Sequence, residues 1–517
     1  MCGIFLQICP DDHPIKAIDS HQKELIYNRG PDSFKEFLCE LGSKRIIGIS
    51  SVLHLRGDSV TVQPLESSRY ILQWNGEIFD YKKNESDNGD LLKRNDTLLL
   101  FEKLKESRSS IRSVLSSING PWSITAIDKE EQVVYFARDY FGRRSLLFSQ
   151  NDDRFIVTSV ACSEESSNLN LKWIEASSGV LYKLDLKTMN LAQEELEIGK
   201  YIISSLNCDV PFYDSDIEKV YVKEALVQLR KSVRKRILHS HTKKIGILFS
   251  GGVDSLLIAA VSASIIDEEN LHDLEIDLIN VAFEQAGLMK SLKLKQVEHN
   301  YYESVPDRVG GRAAFAELGK LFPNVRMNFV ALNISRFQYE SEKDRVIELL
   351  QPNRTVMDLS LGIVLWFGSR SLVEDSKGFK ILLLGMGADE QLGGYSRHLS
   401  AFRVDSWKGL LTEMQMDLDR LGHRNLGRDD RCLSDHGREA RFPFLDEDFV
   451  QWLCGLPLRI KCDLTLPKGE GDKRIFRLMC CSLGFSEPVA FRPKKAMQFG
   501  AKSAKISSSD CKGHDIL

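Results

Sequence analysis

Ile245-Gly246-Ile247-Leu248-Phe249-Ser250-Gly251-Gly252-Val253-Asp254-Ser255 runs from a short apolar segment through a glycine pair into the start of a second, longer apolar segment at residues 256–266. The first segment has the length of a buried strand and the second that of a buried helix, so the order is strand, loop, helix. A loop of this kind aims backbone N–H groups and the positive end of a helix at one point, and glycines there let a phosphate approach closely. The stretch lacks the Gly-Lys-Ser/Thr ending of the Walker loop. On its own, Ser-Gly-Gly before a helix is also compatible with a plain capped turn.

Working outward, residues 214–502 interleave helical periodicity with short apolar runs at 245–249, 276–283 and 380–385, the pattern of a parallel sheet with crossover helices. Asp254 and Asp389 both fall just beyond expected strand ends, where open α/β sheets bind ligands. Hard cations on phosphates take one or two carboxylates with phosphate oxygens and water, so these two are the candidates for Mg2+; Asp389 equally suits a helix N-cap. Residues 1–185 read differently, as short apolar runs at 46–49, 122–127, 133–137 and 154–160 broken by turns, a β-rich pattern. Residues 186–213 are the expected connection. Residues 503–517, poor in apolar side chains, are expected to form a mobile tail.

The β-rich part begins Met1-Cys2. Removal of Met1 would leave a thiol beside its own α-amine, whose ordinary pKa of about 7.7–8.0 lets it act as the base that activates the sulfur. Cleavage of a carboxamide by that thiol creates an oxyanion, for which the Asn75 side chain and the Gly76 N–H are candidate donors. Glu77 and Asp96 are candidates to hold a substrate amine. Each has a bland alternative, since Asn-Gly after residues 70–74 is also a hairpin signal.

Met1-Cys2-Gly3-Ile4-Phe5, Arg29-Gly30-Pro31-Asp32, Asn75-Gly76-Glu77 and Arg138-Asp139-Tyr140-Phe141-Gly142 resemble the class II glutamine amidotransferases over roughly the first 185 residues. Residues 248–255, Gly385-Met386-Gly387-Ala388-Asp389-Glu390 with Gly393-Gly394-Tyr395, and residues 439–446 (Glu439-Ala440-Arg441-Phe442-Pro443-Phe444-Leu445-Asp446) resemble the synthetase half of glutamine-dependent asparagine synthetase. Residues 52–57, 141–147 and 305–308 are similar to a divergent branch of that family, the asparagine synthetase domain-containing proteins.

The resemblance implies an Ntn-type layered, β-rich glutaminase domain, α+β in class, followed by a doubly wound α/β domain with a parallel sheet and a pyrophosphate-binding loop. It implies Leu248, Ser250, Gly251, Gly252, Asp254, Ser255, Ala282 and Gly385 around ATP, Mg2+ on Asp254 and Asp389, and Lys473 countering charge at the reacting phosphate, with Lys494-Lys495 nearby. The implied reaction joins aspartate, glutamine and ATP to give asparagine, glutamate, AMP and pyrophosphate.

Two departures bear on that reaction. Where the family has an Arg-Leu pair gripping the glutamine α-carboxylate, this chain has Ser51-Val52. Arg56, five residues on, could replace the clamp only if the register changed or a bulge intervened, because an odd offset in a strand reverses the face. Where the family has a glutamate between the two glycines of the Gly-x-Gly-Ala-Asp-Glu segment, this chain has Met386, which cannot accept a proton; a general base is worth roughly 10²–10⁴-fold. A nucleotide-binding pseudoenzyme or scaffold, and an amidotransferase acting on another carboxylic acid, are therefore the alternatives.

Composition narrows the context. At 517 residues, 27% charged and a net charge of −4, the chain has no bulk electrostatic attraction for nucleic acid or anionic membranes. The longest apolar run is too short for a bilayer, and eleven scattered cysteines without a C-x-x-C pair suit a reducing compartment, so a cytoplasmic location is expected. Small molecules are the expected partners.

Overall fold

The computed structural model describes residues 2–10, 18–81, 94–106, 110–151, 154–162, 171–204, 215–238, 240–285, 301–370, 378–506 and 514–516. The N-terminal part is a sandwich of two six-stranded sheets. One has the spatial order Ile174–Glu175, Leu147–Gln150, Phe155–Thr158, Cys2–Pro10, Lys44–Val52, Ser33–Leu41; the other runs Leu191–Glu195, Val180–Asp185, Val133–Arg138, Trp122–Asp128, Tyr70–Gly76, Leu65–Glu66. The strands alternate, so that Ile4, Leu6 and Ile8 from one sheet meet Phe136, Tyr182 and Leu184 from the other in a dry core. Helix Ser20–Arg29 lies on the outer face of the first sheet, and helices Asp96–Glu106 and Ile111–Ser116 pack on the second over Trp74 and Trp122. The layering is helix, sheet, sheet, helix.

The C-terminal part is built on a five-stranded parallel sheet ordered Met327–Ile334, Glu275–Phe283, Lys244–Leu248, Ile381–Leu383, Glu439–Arg441. Its central strands are apolar on both faces: Ile276 and Leu278 pack one way, Ile279 and Val281 the other. The chain moves outward from Lys244–Leu248 in one direction, then returns to add Ile381–Leu383 on the other side. That reversal is the topological switch point where doubly wound sheets form a crevice at the strand carboxyl ends. The segments that follow the two strands flanking it are Ser250–Ser255 and Gly385–Glu390.

Two expectations change. Leu191–Glu195, inside the expected connection, pairs antiparallel with Val180–Asp185, so the sandwich extends at least to residue 195; residues 205–214 lie outside the described residues. The expected mobile tail is in part docked. Ser503 Oγ donates to the Ser360 carbonyl at 2.5 Å, Ile506 is buried in the core beside Ala501, and Val356 N–H donates to the Asp515 carbonyl at 3.0 Å. A polar average over fifteen residues conceals one well-placed isoleucine. Residues 507–513 lie outside the described residues. Among the described residues no helix is long and apolar enough to cross a membrane.

Candidate active sites

Cys2 opens the central strand of the first sheet, which brings its sulfur to the sandwich edge where Tyr70–Gly76 ends. Cys2 N–H donates to Asn75 Oδ1 at 2.8 Å. That bond fixes the amide orientation, and it leaves Asn75 Nδ2 buried with no hydrogen-bond partner, as an oxyanion donor must be. Gln63, whose Oε1 accepts from Trp74 N–H at 2.6 Å, presents Nε2 3.7 Å from Cys2 Sγ. Burial pushes the Cys2 thiol above its ordinary range.

Cys2, Arg56, Gln63, Gly76, Glu77, Asp96 and Glu439 surround a cavity of about 20 Å³, room for roughly one water molecule. The polar atoms around it are unusually underused: Arg56 Nε and Nη2, Glu77 Oε2, Asp96 Oδ2 and Asn75 Nδ2 are all buried without a hydrogen-bond partner. Leaving one such group unpaired costs about 1–3 kcal/mol, more when it is charged, so five together point to a polar ligand. Burial, reinforced by the facing Glu439, pushes the Glu77 carboxyl up to about 8, and burial also raises Asp96.

Arg56 reaches this pocket for a reason the strand parity argument misses. The strand ends at Val52, and residues 53–56 leave it as a loop, so alternation no longer decides the side-chain direction. Arg56 Nη1 donates to the Ile78 carbonyl at 2.9 Å and stands 3.7 Å from Glu77 Oε2. Ser51 points away, accepting from Gly3 N–H at 3.0 Å and donating to the Ile26 carbonyl at 2.5 Å.

The pocket is closed from the other half of the molecule. Arg441 bridges Glu439 at 2.6 Å and Glu77 at 3.3 Å; the Arg441 pairing overcomes burial and holds Glu439 down at about 2. Arg144 lies 3.4 Å from Glu439 and 3.7 Å from Asp430, which binds Arg29 at 2.7 Å. The other matching residues of the N-terminal half also serve this seam: Asp32 pairs with Lys380 at 2.7 Å, and Arg138 Nη2 donates to the Gly422 carbonyl at 3.0 Å. Sequence reasoning missed Glu439 as a wall of the Cys2 pocket, although it begins one of the matching segments, because motif position carries no information about contacts across a seam.

The second site lies at the switch point, a cavity of about 530 Å³ lined by Leu248, Ser250, Gly252, Asp254, Ser255, Gly385, Met386, Asp389 and Lys473 among others. Such a volume suits a nucleotide-sized ligand. Helix Val253–Glu268 has no side-chain cap, so its first N–H groups are left for a ligand. Gly251 is at φ +72°, and a Cβ there would sit 2.3 Å from the Gly310 carbonyl carbon, so only glycine fits. Ala282, on the adjacent strand, is fully buried and is not among the cavity-lining residues; Ile279, Asn280 and Val281 are, and the expected contact is corrected accordingly.

Lys473, fully buried and in the left-handed region at φ 54°, reaches Asp254 at 2.5 Å and Asp389 at 2.8 Å. Lys494 also pairs with Asp389. Burial opposes ionisation of Asp389, yet the two lysines draw its carboxyl below the ordinary range, whereas burial raises Asp254. Asp254 Oδ1 has no hydrogen-bond partner. Two hard carboxylates beside an anion loop, one with a free oxygen, fit Mg2+. Glu390, accepting from Tyr395 Oη at 2.6 Å, is pushed up to about 7 by burial and by Asp389 beside it. Met386 lines the cavity and packs on the core.

Comparison with known proteins agrees with both halves. The glutamine amidotransferase domain model matches residues 1–174, and the asparagine synthase model matches residues 402–510. The chain is 33% identical to asparagine synthetase domain-containing protein 1 of Bos taurus, over all of this chain and 97% of that one. The Homo sapiens protein of the same name is likewise 33% identical, over all of this chain and 97% of its own.

The chain belongs to the asparagine synthetase domain-containing protein family.

It is also similar, at 25% identity over 98% of this chain and 86% of the relative, to the glutamine-hydrolyzing asparagine synthetase of Gallus gallus. This chain thus carries a glutamine amidotransferase domain at residues 1–174 and an asparagine synthase match at residues 402–510.

Proposed function

We propose that this protein is a glutamine-hydrolysing, ATP-dependent ligase that converts a carboxylic acid to its amide, with aspartate as the first candidate because relatives are named asparagine synthetases. The observation that carries this reading is the buried set of unpartnered Arg56, Glu77, Asp96 and Asn75 atoms around Cys2. A guanidinium for a carboxylate, two acids for an ammonium and an amide N–H beside a thiol are complementary to an α-amino acid with a carboxamide side chain.

After loss of Met1, the Cys2 α-amine, held by Asn75 Oδ1, takes the thiol proton. The sulfur attacks the glutamine carboxamide, Asn75 Nδ2 supports the oxyanion, ammonia leaves, and water releases glutamate. At the second site the acceptor carboxylate oxygen attacks the α-phosphorus of ATP, pyrophosphate leaves, and ammonia then displaces AMP from the acyl carbon, losing a proton. Asp254 and Asp389 would hold Mg2+, which neutralises phosphate charge when bound. Lys473 orients both carboxylates and offsets their charge.

Met386 favours a second reading, an acid other than aspartate, because a thioether lines the cavity where the family has a proton-handling carboxylate. The test is incubation of the protein with ATP, Mg2+ and aspartate, and with a panel of other acids, under glutamine or ammonium, following pyrophosphate, AMP and amide. Asparagine from both nitrogen sources supports the first reading. Turnover only with another acid supports the second. Nucleotide binding without pyrophosphate release across the panel defeats both.

A further inference from the structure

Away from both cavities, three side chains with the chemistry of transition-metal ligands converge at the seam between the two halves. His21, Cys162 and Glu348 each present one ligand atom, an imidazole nitrogen, a thiol sulfur and a carboxylate oxygen, and these atoms all lie within 4.8 Å of one another. None of the three residues lines the Cys2 pocket or the switch-point cavity. His21 Nε2 and Glu348 Oε2 are 2.7 Å apart. A hydrogen-bonded histidine–glutamate pair accounts for two of these atoms, but such a pair does not require a thiol at the same point.

The three come from separate elements that are each held in place. His21 sits in the first turn of helix Ser20–Arg29, where Asp19 Oδ1 accepts from His21 N–H at 2.7 Å and caps the helix. Its neighbour Gln22 donates through Nε2 to the Val160 carbonyl at 3.2 Å, which ties this helix to the segment carrying Cys162. Cys162 itself is buried in the main core. Glu348 comes from the C-terminal half, in the last turn of helix Arg336–Leu349, where a carboxylate meets the negative end of the helix dipole and gains from a nearby cation. Arg345 is turned mainly to Asp435, with bonds of 2.6 and 3.0 Å, and stands 3.8 Å from Glu348.

The donor set selects the ion. Mg2+ and Ca2+ take oxygen ligands, whereas imidazole, thiolate and one carboxylate suit Zn2+. Tetrahedral zinc, at about 2.0–2.2 Å from nitrogen and oxygen and about 2.3 Å from sulfur, sets its ligand atoms about 3.3–3.6 Å apart. The 2.7 Å pair therefore has to open, and the widest separation to close, by only about 1 Å. We propose that His21, Cys162 and Glu348 form a Zn2+ site that staples the amidotransferase half to the C-terminal half. His21 is partly exposed, which leaves the fourth position open to water. As the metal binds, the His21–Glu348 hydrogen bond breaks, the Cys162 S–H bond gives its proton to solvent, and the sulfur bonds to zinc. This inference is independent of the readings of the two cavities.

The test is titration of the metal-free full chain with Zn2+ against a chromophoric chelator, and separately with Co2+. Wild type is expected to take up one tight equivalent of Zn2+, and its Co2+ form to show a sulfur-to-cobalt charge-transfer band. Losing an outer-shell partner costs about 10–100-fold in metal affinity, so losing a ligand in His21→Ala, Cys162→Ser or Glu348→Gln should cost at least about a hundredfold. His21→Cys, which exchanges one zinc ligand for another, should retain tight binding, as should Cys39→Ser, a thiol elsewhere in the first sheet. Denaturation without metal shows which variants fold; if Cys162→Ser does not, the two partly exposed positions decide. Wild type without a tight Zn2+ equivalent, or His21→Ala and Glu348→Gln that bind like wild type, overturns the site. Added Zn2+ should raise the thermal midpoint of wild type, and an equal rise in Glu348→Gln overturns the staple between halves.

Discussion

The two sites solve opposite electrostatic problems. The Cys2 pocket is small, about 20 Å³, and particular charged atoms of Arg56, Glu77 and Asp96 are left without hydrogen-bond partners; the switch-point cavity is larger, about 530 Å³, and its carboxylates are already paired with Lys473 and Lys494. A site for a zwitterion can keep its own charges waiting because ligand and pocket neutralise each other group by group. A site for a polyphosphate needs cations, and in the switch-point cavity Lys473 and Lys494 are balanced by Asp254 and Asp389. The contrast also predicts different motions: glutamine requires a wall of a pocket of about 20 Å³ to shift, whereas the cavity of about 530 Å³ already has room for a nucleotide.

The largest effect that would break the symmetry of the two sites is expected from Cys2→Ala. Glutamine-supported amide formation should fall to background while ammonium-supported formation persists, measured by product chromatography under each nitrogen source. Lys473→Met should act on the other side, lowering turnover with both nitrogen sources by roughly 10²–10³-fold and destabilising the fold by about 3 kcal/mol, because Asp254 and Asp389 are left facing each other; kinetics and chemical denaturation report the two effects.

Arg56→Ala sharpens the comparison further. It should raise the glutamine KM by about ten- to a hundredfold with a smaller change in kcat, and 4-aminobutanamide, which lacks the carboxylate, should lose its disadvantage relative to glutamine. Unchanged discrimination would show that Arg56 is a structural cation.

The smallest expected effect is a pH slope. Glu77 titrates near 8 in the folded chain against an ordinary 4.5, owing first to burial and then to Glu439. A raised carboxyl contributes stability that is full below about 4.5 and is lost as the pH climbs through about 8. Between these limits Glu77→Gln should lose stability less steeply than wild type, by on the order of 1 kcal/mol per pH unit, as read from denaturation midpoints.

What the sequence disclosed and concealed follows the same division. The placement of Cys2, Asn75, Ser250-Gly251-Gly252 and Asp389 was legible because each sits within a strand-turn or strand-loop unit whose geometry is local. The doubly wound order was legible only as far as parallel strands with crossovers; the switch point depends on Ile381–Leu383 joining the far side of Lys244–Leu248, a choice made by packing. Arg56 was legible as a candidate but its direction was not, because alternation decides nothing past Val52, where the strand stops. Glu439 and the arginines around it were invisible as pocket walls because their partners lie hundreds of residues away, joined by a seam of buried ion pairs that no periodicity records. Ala282 was placed by resemblance alone, and the cavity is lined by Ile279, Asn280 and Val281, which precede it on the strand.

The most direct measurement is isotopic. Supply the protein with ATP, Mg2+, the acceptor acid, glutamine labelled with ¹⁵N in its amide, and unlabelled ammonium in the medium, then read the amide product by mass spectrometry. Two sites working through one closed seam predict product enriched in ¹⁵N, and Cys2→Ala product that carries only unlabelled nitrogen. Wild-type product with the isotope ratio of the medium, or no product although glutamine and nucleotide both bind, would contradict that account.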